Sequence, residues 1–143
     1  MRQQFEKFVR EGRLERFKPG KEEIENLIRI SLRDIETARK VKTIDWDWSF
    51  VIAYNSVLQA ARSYILSKGF RPKSYLAHKT VFEFLRISLP KKYHALIDYF
   101  DKIRIKRHRT LYEAEGIISE KELDELINKA KEFTSYLKEL LLD

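Results

Sequence analysis

The sequence predicts an all-α protein, an antiparallel up-and-down bundle of four or five helices. Apolar residues recur at spacings of three and four along most of the chain, which is typical of helices with one buried face. Leu, Ile, Lys, Glu and Arg, which favour helices, are abundant. The 143 residues include only 4 Gly and 3 Pro, too few for an all-β protein with many tight turns. We find no convincing strand and no internal repeat.

The first twenty residues differ from the rest of the chain. Residues 2–10 predict a short helix, and Gly12 and the segment Lys18-Pro19-Gly20 then interrupt the helical pattern. We therefore divide the chain into an N-terminal appendage, residues 1–20, and a helical bundle, residues 21–143.

Two long helices are predicted next, at about residues 22–42 and 46–68. The second ends at Gly69, a residue typical of helix C-termini. Between them lies the segment Asp45-Trp46-Asp47-Trp48, for which two interpretations remain open. An aspartate caps the second helix while at least one indole packs on the bundle, or the indoles form a stacking surface for bases or an edge for a partner.

Three more helices complete the predicted bundle. The third follows Pro72, with Ser74 as its cap, and ends before Pro90. Its predicted apolar residues are Leu76, Val81, Phe82 and Leu85. The fourth spans about residues 91–114, and the fifth begins at a capping box formed by Ser119 and Glu122.

Composition limits the possible functions. The net charge of +7 favours an anionic partner, and nucleic acid is the commonest one for a basic domain, although a basic surface can also serve solubility alone.

The absence of Cys excludes disulfides and thiolate chemistry. Because no two of the 3 His stand three or four residues apart, we expect no metal site, and we expect no cofactor. No apolar run is long enough to span a bilayer, so we expect a cytoplasmic protein. The high charged fraction of 36% resembles that of proteins from hot environments.

A basic cluster in the fourth helix is the most unusual feature of the sequence. Arg107 shares a helical face with the apolar residues Phe100, Ile103 and Leu111. Either its methylenes lie at the edge of the core while its head group pairs with a carboxylate, or this face is the wall of a cleft that binds phosphate or carboxylate.

The residues around Arg107 favour the cleft. Arg104, His108 and Tyr112 recur at every fourth position and predict one stripe that carries a cation, an imidazole and a phenol. The candidate nucleic-acid-binding residues are the cations of this helix, Lys102, Arg104, Lys106 and Arg109.

Other polar residues receive less weight. A single imidazole such as His78 is more often a surface or core-edge residue, and we expect His94 to face solvent. Tyr54 lies on an apolar face, where a tyrosine usually buries its ring and directs its hydroxyl to the nearest partner, although it could also reach the cleft.

Several short motifs follow one another in a distinctive order along the chain. They are Asp34-Ile35-Glu36 with Ala38, Ala53-Tyr54 through Ala60-Ala61, Lys68-Gly69-Phe70-Arg71-Pro72, Ala77-His78-Lys79, and Arg107-His108 with Tyr112. This order resembles the HEPN superfamily of nucleotide-binding domains over about residues 22–142, and the most similar branch is that of small prokaryotic HEPN proteins, some of which are encoded beside minimal nucleotidyltransferases. The resemblance implies a bundle of four or five helices.

The resemblance also implies a function. Active members are metal-independent endoribonucleases that pair as homodimers, with an arginine, a polar residue directly after it and a histidine four to six residues beyond the arginine. Arg107 matches the arginine and His108 the polar position, but Tyr112 stands where the histidine is expected. The implied partners are a second copy of the chain, RNA or a nucleotide, and a minimal nucleotidyltransferase antitoxin.

This departure leaves two functions open. Cleaving RNA requires proton transfers that suit an imidazole, whereas a phenol, with a reference pKa of about 10, is a poor base at neutral pH. His108 could replace the missing histidine, in which case Arg107, His108 and Tyr112 are the catalytic residues of an RNase-like toxin. Alternatively, the protein is a noncatalytic module that binds a nucleotide, RNA or an acidic protein.

Overall fold

The computed structural model describes residues 2–73 and 78–142. Along these residues the elements are α1 (Arg2–Arg10), β1 (Leu14–Arg16), α2 (Lys21–Val41), α3 (Trp46–Ser67), β2 (Phe70–Pro72), α4 (His78–Ser88), a 3-10 helix (Lys91–Tyr93), α5 (His94–Tyr112) and α6 (Glu120–Leu142). The predicted all-α class is confirmed, and the predicted helix ends mostly lie within a few residues of the observed ones. Ser74 and Leu76, the predicted cap and a predicted apolar residue of the third helix, lie outside the described residues.

The central element of the bundle is α3, which packs against α2, α4, α5 and α6. Its residues are apolar or small around most of the helix, as a helix surrounded by neighbours requires. Ala53, Ala60 and Ala61 are fully buried and permit close approach of the adjacent helices. Within the described ranges, no helix combines the length and the apolar character needed to cross a lipid bilayer.

Two short strands correct the expectation of a chain without strands. β1 and β2 pair antiparallel, with Leu14 opposite Pro72 and Arg16 opposite Phe70. Each strand has only three residues, too few for an alternating pattern to stand out in the sequence. The pairing joins segments more than fifty residues apart, so local propensity carries no signal for it.

The N-terminal segment packs on the bundle. Phe5 and Phe8 of α1 are buried, and the Phe5 ring stacks on that of Phe84 in α4, with centroids 4.0 Å apart. Arg13 donates a hydrogen bond from Nε to Thr80 Oγ1 at 2.9 Å. The division into an appendage, residues 1–20, and a bundle, residues 21–143, stays a prediction. In the structure, residues of both segments belong to one hydrophobic core.

The turn between α2 and α3 confirms one interpretation in part. The Asp45 carboxylate accepts a hydrogen bond from the Trp48 backbone N–H at 2.9 Å, so Asp45 is the predicted cap of α3. The expected packing of an indole on the bundle is wrong, because Trp46 is 42% and Trp48 58% exposed.

The predicted capping box at the start of α6 is confirmed. The Glu122 backbone N–H donates to Ser119 Oγ at 3.1 Å, and the Ser119 backbone N–H donates to Glu122 Oε1 at 3.2 Å. The Glu122 carboxylate also accepts a hydrogen bond from Lys106 Nζ of α5. Glu122 therefore caps α6 and ties it to α5.

Replacing Glu122 with Gln tests this cap by its pH dependence. The hydrogen bond from Lys106 and those from Ser119 lower the pKa of Glu122, so its stabilising effect is present above the unfolded pKa and is lost as pH falls through the lower folded pKa. We expect Glu122→Gln to lower the free energy of unfolding by about 0.5 kcal/mol at neutral pH, a value that allows for the exposure of the pair.

Urea unfolding at neutral pH and at a series of acidic pH values measures this difference. Below its lowered folded pKa Glu122 is protonated and resembles Gln, so the difference in stability should shrink toward zero as the pH falls. Glu125→Gln, on an exposed residue of the same helix, is the control and should have little effect at any pH in the series. An effect of Glu122→Gln that stays the same over the whole pH series would contradict the assignment.

Candidate functional site

A groove of about 760 Å³ lies between the start of α4 and the C-terminal half of α5. We call it the α4–α5 groove. Most of its lining comes from α5, and α4 supplies its first two residues. The lining residues are His78, Lys79, Arg104, Ile105, Arg107, His108, Arg109, Tyr112 and Glu113.

Arg107 is half-buried in this groove and is not held by a carboxylate. Among the described residues it forms no ion pair, and its Nε atom is buried without a hydrogen-bond partner. An unsatisfied buried donor costs about 1–3 kcal/mol. The explanation of Arg107 as an ion-pair member at the edge of the core is therefore wrong. The structure agrees with the other explanation, in which Arg107 lies in the wall of a groove.

The Tyr54 ring packs against the Arg107 guanidinium. The carbon at the centre of the Arg107 guanidinium lies 5.5 Å from the centroid of the Tyr54 ring, within the range of a cation–π contact. Tyr54 is fully buried, and its hydroxyl lies 3.1 Å from His78 Nδ1. The expected burial of the ring, with the hydroxyl directed to a nearby partner, is confirmed.

The electrostatic setting of Tyr54 keeps its hydroxyl protonated. Burial raises the pKa of Tyr54 well above the ordinary value of a phenol, and the nearby positive charges of Arg107 and Arg104 oppose this only in part. The hydroxyl therefore remains a neutral hydrogen-bonding group at any physiological pH.

The predicted stripe of Arg104, His108 and Tyr112 lines the groove as a unit. The rings of His108 and Tyr112 lie with centroids 4.9 Å apart, and both side chains are exposed, Tyr112 to 70%. Arg104 donates from Nε to Asp101 at 2.8 Å, which fixes the direction of its guanidinium. An imidazole and a phenol thus stand accessible beside Arg107.

The four predicted nucleic-acid-binding cations divide into two pairs. Arg104 and Arg109 line the groove, whereas Lys102 and Lys106 do not. Lys102 and Lys106 each lie two positions from Arg104, and two positions along an α-helix correspond to about 200°, so both face away from Arg104. Lys106 is directed toward α6, where it pairs with Glu122, and Lys102 is exposed.

His78 and Lys79 belong to the groove although the candidate site residues do not include them. They come from the start of α4, more than twenty residues before Arg104 in the sequence. No periodicity could link two separate helices in this way. The only sequence signal was the motif Ala77-His78-Lys79 within the resemblance to a known superfamily.

The chemistry available in the groove suits an anion. Cationic side chains outnumber the single carboxylate of its lining, and imidazoles and a phenol add hydrogen-bonding groups. In the part of the chain that the structure describes, no three His, Asp or Glu side chains are grouped as metal ligands. Lys79, Arg104, Arg107 and Arg109 are the cations, and Glu113 is the carboxylate.

Comparison with known proteins assigns the family. The model of the HEPN domain family matches residues 24–140, which extend from α2 to α6. The chain therefore belongs to the HEPN domain family, in agreement with the resemblance found in its sequence. Searches of curated proteins and of solved structures gave no match.

Proposed function

We propose that this protein binds RNA in the α4–α5 groove and cleaves it without a metal ion. One observation carries the proposal: the Arg107 guanidinium stands in the groove with no carboxylate partner among the described residues and with a buried Nε that bonds to nothing. A phosphate in the groove would pair with the charge of this guanidinium, which no carboxylate in the described part of the chain neutralises. Family membership and the net charge of +7 support the same partner.

Arg107 suits phosphate recognition by its shape as well as its charge. A guanidinium is planar and offers five N–H donors, so it can bind two oxygens of one phosphate at once. The contact with the Tyr54 ring restricts its orientation before any ligand arrives. Arg104 and Arg109 lie in the same groove and would bind neighbouring phosphates of the chain.

His108 is the proposed proton-transfer group beside this phosphate. Cleavage of RNA requires a base to take the 2′-hydroxyl proton and an acid to protonate the leaving oxygen. The exposed imidazole of His108 suits such a transfer, while Tyr112 can donate a hydrogen bond to a phosphate oxygen. Arg107 would stabilise the negative charge that develops as the 2′-oxygen attacks phosphorus.

The proposal includes a homodimer. In the family resemblance, two copies of the motif face one cleft, and a single chain would leave that cleft half built. Ile105 is 56% and Tyr112 70% exposed at the groove, and apolar surface of this kind is often covered by a partner.

We also propose that the protein acts in the cytoplasm, as a toxin with a minimal nucleotidyltransferase as antitoxin. Growth arrest on expression, relieved by such a partner, would test this pairing.

A second candidate is a noncatalytic module that binds a nucleotide, RNA or an acidic protein. Tyr112 favours it, because a phenol occupies the position where active relatives are expected to carry histidine. An aromatic ring that is 70% exposed can stack on a base without taking part in chemistry.

Incubation of the purified protein with a labelled structured RNA in EDTA separates the two candidates. We expect wild-type protein to cleave the RNA, and His108→Ala to lower the rate by about 100-fold, the lower range of general acid–base effects, with RNA affinity nearly unchanged. His94→Ala is the matched control, because His94 lies on α5 but outside the groove. Binding without cleavage would favour the noncatalytic module, and an absence of both would contradict the proposed function and leave a nucleotide or an acidic protein as the partner of the module.

A further inference from the structure

His78 is a second imidazole of the α4–α5 groove, and it comes from a different helix than His108. It stands at the start of α4, while His108 stands near the end of α5, and both line the same groove. His78 is half-buried, whereas His108 is exposed. The packing of α4 on α5 therefore brings two imidazoles, a group used for proton transfer in catalysis, into one groove.

Tyr54 connects His78 to Arg107. Its ring lies under the Arg107 guanidinium at 5.5 Å, and its hydroxyl lies 3.1 Å from His78 Nδ1. Because Tyr54 is fully buried in α3, the central helix of the bundle, it cannot easily shift. One rigid side chain therefore sets the positions of the cation and of the imidazole relative to each other.

The hydrogen bond also orients the imidazole. If the hydroxyl accepts the Nδ1–H, the other ring nitrogen, Nε2, carries a lone pair, and if the hydroxyl donates to Nδ1, Nε2 carries the proton. In either case the hydroxyl engages Nδ1, so the proton transfer assigned to His78 below falls to the other ring nitrogen, Nε2. A hydrogen-bonded orienting group is the usual companion of a histidine that acts in acid–base chemistry.

We propose that His78 performs one of the two proton transfers of RNA cleavage, with His108 performing the other and with Tyr54 as the positioning residue of His78. This inference rests on the function proposed above. It explains how a chain with tyrosine at the expected histidine position can still supply both an acid and a base.

The proposed step balances in atoms and charge. One neutral imidazole takes the proton of the 2′-hydroxyl, and the 2′-oxygen attacks the adjacent phosphorus. The bond between phosphorus and the 5′-oxygen breaks, and the other imidazole, in its protonated form, gives its proton to that oxygen. The products are a 2′,3′-cyclic phosphate and a 5′-hydroxyl, and water or buffer returns each imidazole to its starting form. No electron transfer and no co-reactant are involved.

The pH dependence follows from the need for one neutral and one protonated imidazole. The rate should pass through a maximum and fall on both sides, with each limb belonging to one histidine. Within the described residues, Tyr54 bonds to His78, and Arg62, Asp101, Arg104 and Arg107 carry charges near Tyr54. The other titratable or charged groups of the groove are Lys79, His108, Arg109, Tyr112 and Glu113.

Single-turnover cleavage of a labelled RNA, measured across the pH range for three variants, tests the inference. His78→Ala should lower the maximal rate by about 100-fold and remove one limb of the pH profile, with RNA affinity within about threefold of wild type. His78→Asn keeps a polar group near the Tyr54 hydroxyl but cannot transfer a proton, so it should show the same losses. It therefore tests the inference even if His78→Ala folds poorly. Tyr54→Phe keeps the ring under Arg107 and should lower the rate by about tenfold while moving the same limb.

Each possible result decides the matter. Cleavage at the wild-type rate by both His78 variants would overturn the inference and leave the proposed function intact. Parallel losses of RNA affinity and rate with an unchanged pH profile would make His78 a binding residue and would also overturn it. If wild-type protein binds RNA but cleaves none at any pH, the proposed function fails, and the inference fails with it. His94→Ala should retain the wild-type rate and profile.

Discussion

Replacing Arg107 with Ala is expected to lower the rate of RNA cleavage by about 100- to 1000-fold, the effect of losing one preorganised donor to a developing oxyanion. RNA affinity should fall by about tenfold, because a bidentate contact to one phosphate is lost. The free energy of unfolding should change by no more than about 1 kcal/mol. Removing the unsatisfied Nε offsets part of the lost contact with Tyr54.

The control for this prediction is Lys106→Ala. Lys106 is adjacent to Arg107 and carries the same charge, but it is directed toward α6 and paired with Glu122. We expect this variant to keep RNA affinity and cleavage within about threefold of wild type, because its charge lies outside the groove. Rates from rapid-quench experiments and affinities from fluorescence anisotropy, at one salt concentration, measure both effects. Equal losses in the two variants would mean that the overall basic charge, and not the groove, binds RNA.

Replacing Phe84 with Ala is expected to destabilise the protein by about 3–5 kcal/mol, the usual cost of truncating a buried phenylalanine. Phe84 is fully buried and lies at the centre of an aromatic cluster. Its ring stacks on Phe5 at 4.0 Å and meets Phe70 and Tyr64 at 6.1 and 6.4 Å. Since domains are stable by only about 5–15 kcal/mol, urea unfolding should show a large loss.

A double-mutant cycle of Phe5→Ala and Phe84→Ala measures what the N-terminal segment contributes to the free energy of unfolding. We expect Phe5→Ala alone to destabilise the protein, and the two substitutions to be coupled by about 1 kcal/mol, because the rings stack directly. If residues 1–20 were only an appendage, Phe5→Ala would leave the stability unchanged. Additive effects, within about 0.3 kcal/mol, would contradict the stacked pair.

The helices could be predicted from the sequence because their signals are local. The spacing of apolar residues, the cap at Asp45 and the capping box of Ser119 with Glu122 all lie within a few residues of the helices they define. The pairing of β1 with β2 and the stacking of Phe5 on Phe84 depend on segments distant in sequence. No local pattern contains that information.

The candidate site could be predicted in part, for the same reason. Arg107 was recognisable because a guanidinium stood among apolar residues on one helical face, and His108 and Tyr112 followed at helical spacing. His78 enters the groove only through the packing of α4 on α5, which the sequence does not specify. The direction of Lys102 and Lys106 could have been predicted from helical geometry, since both lie two positions from Arg104, which lines the groove.

The most direct test of the central claim is a crystal structure of the protein with an RNA oligonucleotide that carries 2′-deoxy nucleotides and so cannot be cleaved. We expect a phosphate within hydrogen-bonding distance of the Arg107 guanidinium, with His78, His108 and Tyr112 around it and two chains facing one cleft. RNA bound on another surface, with Arg107 paired to a carboxylate or left unoccupied, would contradict the claim that this groove handles RNA.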